Sequence, residues 1–577
     1  MAPMYIETVP NRNSRPAILL REGWREDKKT VKRTLANLSD WPQPKIEALR
    51  RVLRDEALVS PEDLLTTRQT LPHGHVEAMI LAMIHQLDLE AVISSQRCRE
   101  RDLVVAMIVQ RLIDPCSKLA TTRAWHTTTL AEDRGVADAN EDELYAAMDW
   151  LGKRQERIEK KLAARHLTEG GLVLYDVTSS SYEGRTCPLA HLGHNRDGDK
   201  HLPIIVYGVM TDGEGRPVAV EVYAGNTGDP TTVGDQVEKL RQRFGLQRVV
   251  LVGDRGMLTQ PQIDKLQKHP GCGWITALTS GAIRELVAKG ALQLSLLDQK
   301  NLAEITSPDY PGERLMVCHN PLLEEERARK RQALIEATEK SLTKIAKEVA
   351  RRKNKPLTAA EIGLKVGKVL GRYKVGKHFD CQIGAGSFTC SRRQEGIDQE
   401  TQLDGIYVLR TSEPVERLSA GDTVRSYKSL AEVERAFRCL KGIDLLVRPI
   451  RHRTEERVPA HIFLCLLAYY VEWHLRRAWA PLLFEDEDRR EERKRRDPIL
   501  PAEPSASAEA KKRSRQTVDG LPLHSFRTLL AELASRARVT YEIQAAEATL
   551  TCKQLPEPTA LQARAYELIR TFPVTGN

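Results

Sequence analysis

The chain has 577 residues, 41% of them hydrophobic and 29% charged, a balance that sustains folded cores over several domains and excludes a disordered chain. Its 88 Lys and Arg against 79 Asp and Glu give a net charge of +9. The start MAPMYIETVP lacks the basic opening and apolar core of a signal peptide, no apolar run reaches the roughly eighteen residues of a membrane span, and the ten cysteines form no CxxC pair, so a membrane protein, a disulfide framework and a cysteine zinc site are excluded and a cytoplasm is the expected compartment.

Residues 1–60 carry AILLREGWRED and TVKRTLANLS on either side of Asp27-Lys28, which predicts a β-hairpin region. Residues 61–168 read as helical, with VEAMILAMIHQL, RDLVVAMIVQRLI and DELYAAMDWLGKRQERIEKKLAARHL. The last has an acidic first turn and a basic end, as the helix dipole favours. From residue 169 the texture changes to short β-rich runs: LVLYDV, PIIVYGVM, PVAVEVYA, VVLVGD and WITAL, with a helix in DPTTVGDQVEKLRQRFG. This predicts an α/β core over 169–480.

Residues 322–353 predict one long helix, with Ile335, Thr338, Leu342, Ile345 and Val349 at heptad-like spacing. The stretch from Leu322 to Lys377 holds 16 Lys and Arg against 7 Asp and Glu, which equals the whole net charge of +9. Localised positive charge points to a polyanion, nucleic acid first, and Arg351, Arg352 and Lys353 are candidate contacts. The alternative is a solvated amphipathic helix. GIYVLRTS predicts a further strand, and helices follow near 430–440 and over 459–484. Residues 481–520, with DEDRREERKRRDP and EPSASAEAKKRSR, read as a charged flexible linker, and 521–577 as a C-terminal helical segment. The whole is a multidomain α+β protein.

Asp176 stands at the end of the apolar run LVLY, and Asp254 ends VVLV-Gly in the same way, 78 residues on. A buried unpaired carboxylate costs several kcal/mol, so such residues have a partner or hold a metal. Hard divalent cations take carboxylate oxygens, and a pair of them serves in-line displacement at phosphorus. A third acid comes from YKSLAEVERAFRCLKG: Glu434 is seven residues from both Tyr427 and Lys441, two turns each way, so all three share a helix face. Arg438 and Lys441 add cations for phosphate.

At these residues the chain resembles the DDE transposases of bacterial insertion sequences, whose signature is Y-x2-R-x3-E-x6-K. The chain supplies Tyr427, Glu434 and Lys441, with Leu430 where the arginine stands. LVGDRGM and VRPIRHRTEERVPAHIFLCLLAYYVE extend the likeness. The resemblance implies an RNase H-like α/β catalytic core over 169–480, interrupted by a large insertion at about 283–402, and a helical 61–168 that binds element ends. It implies Asp176, Asp254 and Glu434 as the catalytic metal ligands. The cofactor would be Mg2+, two ions, with Mn2+ able to substitute. Tyr427 and Lys441 would contact DNA near the scissile phosphate; Arg438 and Arg448 are DNA-contact candidates from the basic character of their own stretches. The implied reaction is strand cleavage and strand transfer on terminal inverted repeats and target DNA, by a homodimer in the bacterial cytoplasm, nucleoid-associated when bound. The other class is a catalytically inactive, transposase-derived DNA-binding protein.

Taken singly, each acid has an ordinary reading: Asp176 as a turn cap, Asp254 paired with Arg255, Glu434 paired with Arg438. The serines after Asp176 lack a GxSxG elbow and read as loop. A haloacid-dehalogenase-like phosphatase would need an aspartate where Thr178 stands. LGHNRDGDKH is a polar loop between the first two core strands, near the active site by resemblance or else an ordinary hairpin loop. His452 and His461 flank the basic Arg448, Arg451, Arg453 and Arg457, either as backbone contacts for DNA or, for His461, as a histidine satisfied at a helix start.

Overall fold

The protein is represented by a computed structural model that describes residues 3–12, 14–56, 65–198, 201–297, 300–545 and 548–573. The chain divides into two units, residues 1–72 with 536–557, and residues 73–535 with 558–577.

In the first unit Ala17–Glu26 and Lys29–Asn37 form the expected hairpin. Asp27 and Lys28 both take positive φ, 41° and 68°, which a two-residue turn between right-twisted strands requires. Met4–Val9 adds a third, antiparallel strand. A second sheet pairs Leu65–Pro72 with Ala537–Ala545, and that strand with Ala548–Gln554. Residues 521–577 therefore hold a hairpin between the helices Phe526–Ala534 and Ala560–Thr571, in place of a helical run. The alternating ARVTYEIQ and ATLTCKQ suit a pleated ribbon.

The second unit opens with helices, among them Arg99–Ile113, Glu141–Gly152 and Gln155–His166. Asn140 and Glu143 close a capping box on the second of these. The first two pack on the helix Arg457–Ala478. That helix is apolar and long enough to cross a bilayer, yet 94% of its apolar window is buried inside the protein. An all-round apolar helix is what a core position demands.

One mixed sheet of eight strands forms the centre. We number them β1 (Leu172–Ser181), β2 (Ile204–Asp212), β3 (Pro217–Ala224), β4 (Val249–Val252), β5 (Cys272–Ala277), β6 (Leu302–Ile305), β7 (Arg314–His319) and β8 (Ile406–Thr411). The order across the sheet is β6-β7-β8-β5-β4-β1-β2-β3. β1, β4 and β5 are parallel neighbours, β2 runs antiparallel to β1, and β3 antiparallel to β2. β2 and β4 are buried along their whole length, as continuous apolar runs covered on both faces should be.

The expected insertion, 283–402, is only partly a separate body. Its strands β6 and β7, with β8, extend the central sheet in antiparallel fashion from β5. The rest is an appendage of the helices Pro321–Arg351 and Ala359–Tyr373, a hairpin of Phe379–Gly384 with Ser387–Arg392, and the helix Gln394–Thr401. The appendage has its own apolar core. The buried residues of its long helix are Ile335, Thr338, Leu342, Ile345 and Val349, the seam its spacing predicts. Residues 481–520, expected to be a flexible linker, carry the short helices Arg489–Arg495 and Ala506–Ser514, with Ile499 buried.

Candidate active site

Asp176 does not end its strand. It is the fifth residue of β1, which runs on through Thr178 and the three serines to Ser181 by pairing with β2. The serines are therefore strand residues and not loop. Both faces of β1 are largely buried, Tyr175 and Val177 on one and Leu174 and Thr178 on the other, and Asp176 between them is half-buried. Its Oδ1 accepts the Val177 N–H at 2.7 Å.

Asp254 follows β4 by two residues. Its Oδ1 accepts the Met257 N–H at 2.8 Å, and its carbonyl accepts from Met257 and Leu258, so a tight turn presents the carboxylate to solvent. The parallel register fixes the relation between the two acids. Leu172 pairs with Val250 and Leu174 with Val252, an offset of 78. Asp176 and Asp254 differ by the same 78, so the turn that follows β4 carries Asp254 to the side of β1 on which Asp176 stands.

Glu434 is exposed on the helix Leu430–Lys441. That helix packs on β1 and β2 through the apolar face of Val433, Ala436, Phe437 and Leu440. Phe437 meets Tyr207 of β2 edge-to-face, with centroids 6.1 Å apart. The helix is interrupted at Ser429, so Tyr427 belongs to the preceding helix Ala420–Lys428. Tyr427, Glu434 and Lys441 thus line two consecutive helices and not one face of a single helix. Leu430 packs against the core, which gives a physical reason for an apolar side chain there.

Electrostatics ties the acids together. Burial pushes the Asp176 carboxyl up to about 7, and the negative charges of Asp254 and Glu434 push the same way against the Val177 N–H and Arg196. Tyr427 is pushed up to about 12 by burial and then by the charge of Asp254, with Asp176 and Glu434 contributing. Among the described residues, none of the three acids makes an ion pair with a basic side chain. Three neighbouring carboxylates without a counter-ion are the donor set that a hard divalent cation takes. A different trio, Cys439, Asp444 and Glu472, brings its ligand atoms within 4.8 Å of one another. There Cys439 Sγ donates to Glu472 at 2.9 Å and Arg476 donates to it at 2.7 Å, so that group is already charge-balanced.

The expected DNA contacts fall into two sets. Lys441 and Arg448 are brought together on Asp197: Nζ of Lys441 is 3.1 Å and Nη1 of Arg448 2.6 Å from its Oδ1. Asp197 belongs to the LGHNRD loop, and sequence reasoning misses it as their partner; the only signal is the polar character of that loop. Arg438 is exposed one turn beyond Glu434. Arg351, Arg352 and Lys353 lie at the end of the long appendage helix, exposed, with Arg352 paired to Glu348 at 3.0 Å; they make no contact with the acids. His461 is a core residue: Nε2 donates to the Val447 carbonyl at 3.1 Å, leaving Nδ1 facing Lys118 Nζ at 3.5 Å.

Residues 170–471 match the family model described as the transposase DDE domain. Residues 6–64 match the N-terminal domain of the IS1634 family of transposases. No curated protein matches. Among solved structures, a cryo-EM structure of a piggyBac transposase synaptic complex with hairpin DNA is 11% identical, with 77% of this chain and 84% of that chain covered and a TM-score of 0.25.

Proposed function

The chain belongs to the DDE transposases of insertion sequences, and from that premise we propose that Asp176, Asp254 and Glu434 hold two divalent cations and that the protein cuts and joins DNA at the ends of its own element. The carrying observation is the cluster of three uncompensated acids, one on β1, one in the turn after the adjacent parallel strand β4 and one on the helix packed against β1. The order β3-β2-β1-β4-β5, in which β2 alone runs against the other four, supports an RNase H-like core.

Bound Mg2+, or Mn2+ in its place, would lower the pKa of a water or 3′ hydroxyl and offset charge gathering at phosphorus. The chain's own residues do the rest. Tyr427 walls the cluster and excludes water from one side. Lys441 and Arg448 hold a strand phosphate beside it, and Arg438 extends that basic edge. Within 61–168, where Leu65–Pro72 is a strand in place of the expected helix, the helices from Gly74 to His166 bind the terminal repeats, and the basic appendage adds salt-sensitive backbone affinity. Joining two ends to a target calls for a homodimer, acting on DNA in the bacterial cytoplasm.

The test is cleavage of a supercoiled plasmid carrying the element's ends, with Mg2+. The wild-type chain should cut, and Glu434→Gln should cut on the order of a hundredfold more slowly with end binding kept. Equal cutting by both would remove Glu434 from the site. A wild type that binds ends tightly but never cuts would mark an inactive, binding-only descendant.

A further inference from the structure

The loop between β1 and β2 is bound back onto the strand that carries Asp176. Ser179 Oγ donates to the His194 carbonyl at 3.2 Å and accepts the Arg196 N–H at 3.1 Å. The Ser181 N–H donates to Asp197 Oδ2 at 3.2 Å. Ser179 and Ser181 lie three and five residues beyond Asp176 on the same strand. Asp197 is thereby fixed from the strand side, with 10% of its side chain exposed.

Its other oxygen takes the two cations. Lys441 Nζ also donates to the Ser179 carbonyl, and Arg448 Nε donates to the Lys441 carbonyl at 3.2 Å. Burial works against the Asp197 charge, but Lys441 and Arg448 hold its carboxyl below the usual value. An ammonium has three N–H groups and a guanidinium five. Lys441 has used two. Arg448 Nη2 has no protein partner among the described residues, and 41% of that side chain is exposed. Two cations share one carboxylate, so surplus positive charge and unused donors remain.

We propose that Asp197 is a positioning residue that holds Lys441 and Arg448 as a preset clamp for a phosphodiester oxygen of the strand entering the acidic cluster. This rests on the DNA-cutting reading above. A lysine on a free stem loses rotamer freedom when it grips a phosphate; one already fixed loses little. The polar loop and the serines of β1 then share one purpose: they brace the carboxylate that braces the cations.

The test reads binding alone. A fluorescent DNA duplex is titrated with the full chain in EDTA, by anisotropy. Lys441→Met should weaken binding about tenfold in the wild-type background, the size of one charge-assisted hydrogen bond, and less than about twofold in the Asp197→Asn background. Asp197→Glu should restore part of the Lys441 share. An equal loss in both backgrounds overturns the proposal, since a merely structural Asp197 would lower the unfolding midpoint and leave that share unchanged. Tighter binding by Asp197→Asn with the Lys441 share intact also overturns it, and marks Asp197 as a competitor of phosphate. If the asparagine chain unfolds, Asp197→Ser takes its place in the same cycle. Failure of the cutting reading shows separately, as a wild type that leaves the plasmid uncut with Mg2+.

Discussion

Two residues before Glu434, the same helix turns a second glutamate inward. Glu432 is 5% exposed and faces three guanidiniums: Arg489 at 2.5 Å, Arg435 at 3.8 Å and Arg493 at 3.9 Å. Arg489 and Arg493 come from 481–520. Burial lowers the pKa of both, the sign of cations that need their counter-charge. The segment is then a strap docked on the helix that carries Glu434, and Glu432 is its buckle.

Glu432→Gln keeps the shape and removes the charge. Removing one partner of a buried ion pair costs about 3–5 kcal/mol. Here the side chains of Arg489 and Arg493 are 35% and 27% exposed, so water recovers part, and about 1–3 kcal/mol is the expected loss. That loss falls on the strap, whose open population should rise about 5- to 150-fold. Trypsin used sparingly reports that population, because cutting is then slow against reclosing. Cleavage within 489–496 should accelerate by that factor, and the global unfolding midpoint should move less. Gly215→Ala reaches the same place from below: Gly215 has φ +84°, and a Cβ there would sit 2.5 Å from Glu432 Cβ, so this variant should also loosen the strap. Cleavage within about twofold of wild type for Glu432→Gln would refute the reasoning and return 481–520 to a passive spacer.

Neutralising Arg351, Arg352 and Lys353 together should lower the slope of log affinity for DNA against log salt by about one for each phosphate no longer neutralised; an unchanged slope in a salt titration would turn that end of the helix to solvent. The buried group of His452, His461 and Lys118, faced by Arg111, Arg457, Tyr145 and Cys465, should make the fold acid-sensitive. Burial pulls His452 down to about 3 and Lys118 to about 7, below their unfolded values, so the unfolded chain binds more protons. Stability tied to Lys118 should fall from about pH 10 toward 7, and that tied to His452 below about pH 6.5. His452→Phe should flatten the acid limb of the urea midpoint, and an identical limb would refute this. Cys381 and Cys390 oppose each other in the appendage hairpin with Sγ atoms 2.7 Å apart. Diamide should take two electrons from this pair to give a disulfide and a hydrazine, read as two fewer thiols open to alkylation; both thiols still alkylated would refute it.

What the sequence made legible was local periodicity, and what it hid was pairing. Ile335 to Val349 announced a buried seam because the helix repeat is a property of neighbours in the chain. The hairpin at 537–554 escaped because its second partner, Leu65–Pro72, lies more than 460 residues away. Ser179 to Ser181 look like loop by composition, and only β2 lying alongside makes them strand. Lys441 and Asp197 both stand out in the sequence, yet nothing local joins residues 244 apart.

The acids themselves show where the limit lies. With 79 Asp and Glu in the chain, spacing alone cannot sort ligands from surface charge, and even the 78-residue step between Asp176 and Asp254 is only a number until the sheet register converts it to adjacency. Glu432 and Glu434 make the point within one helix turn. Both precede Arg438 and both fit an amphipathic pattern, but Glu432 meets three arginines and, among the described residues, Glu434 meets none. The difference between the two glutamates is therefore the presence or absence of a counter-ion, a property of the assembled site. The residues that set it, Arg489 and Arg493, come from the segment whose composition looked least structured. Charge-rich sequence reads as disorder only while its partner charges are unseen.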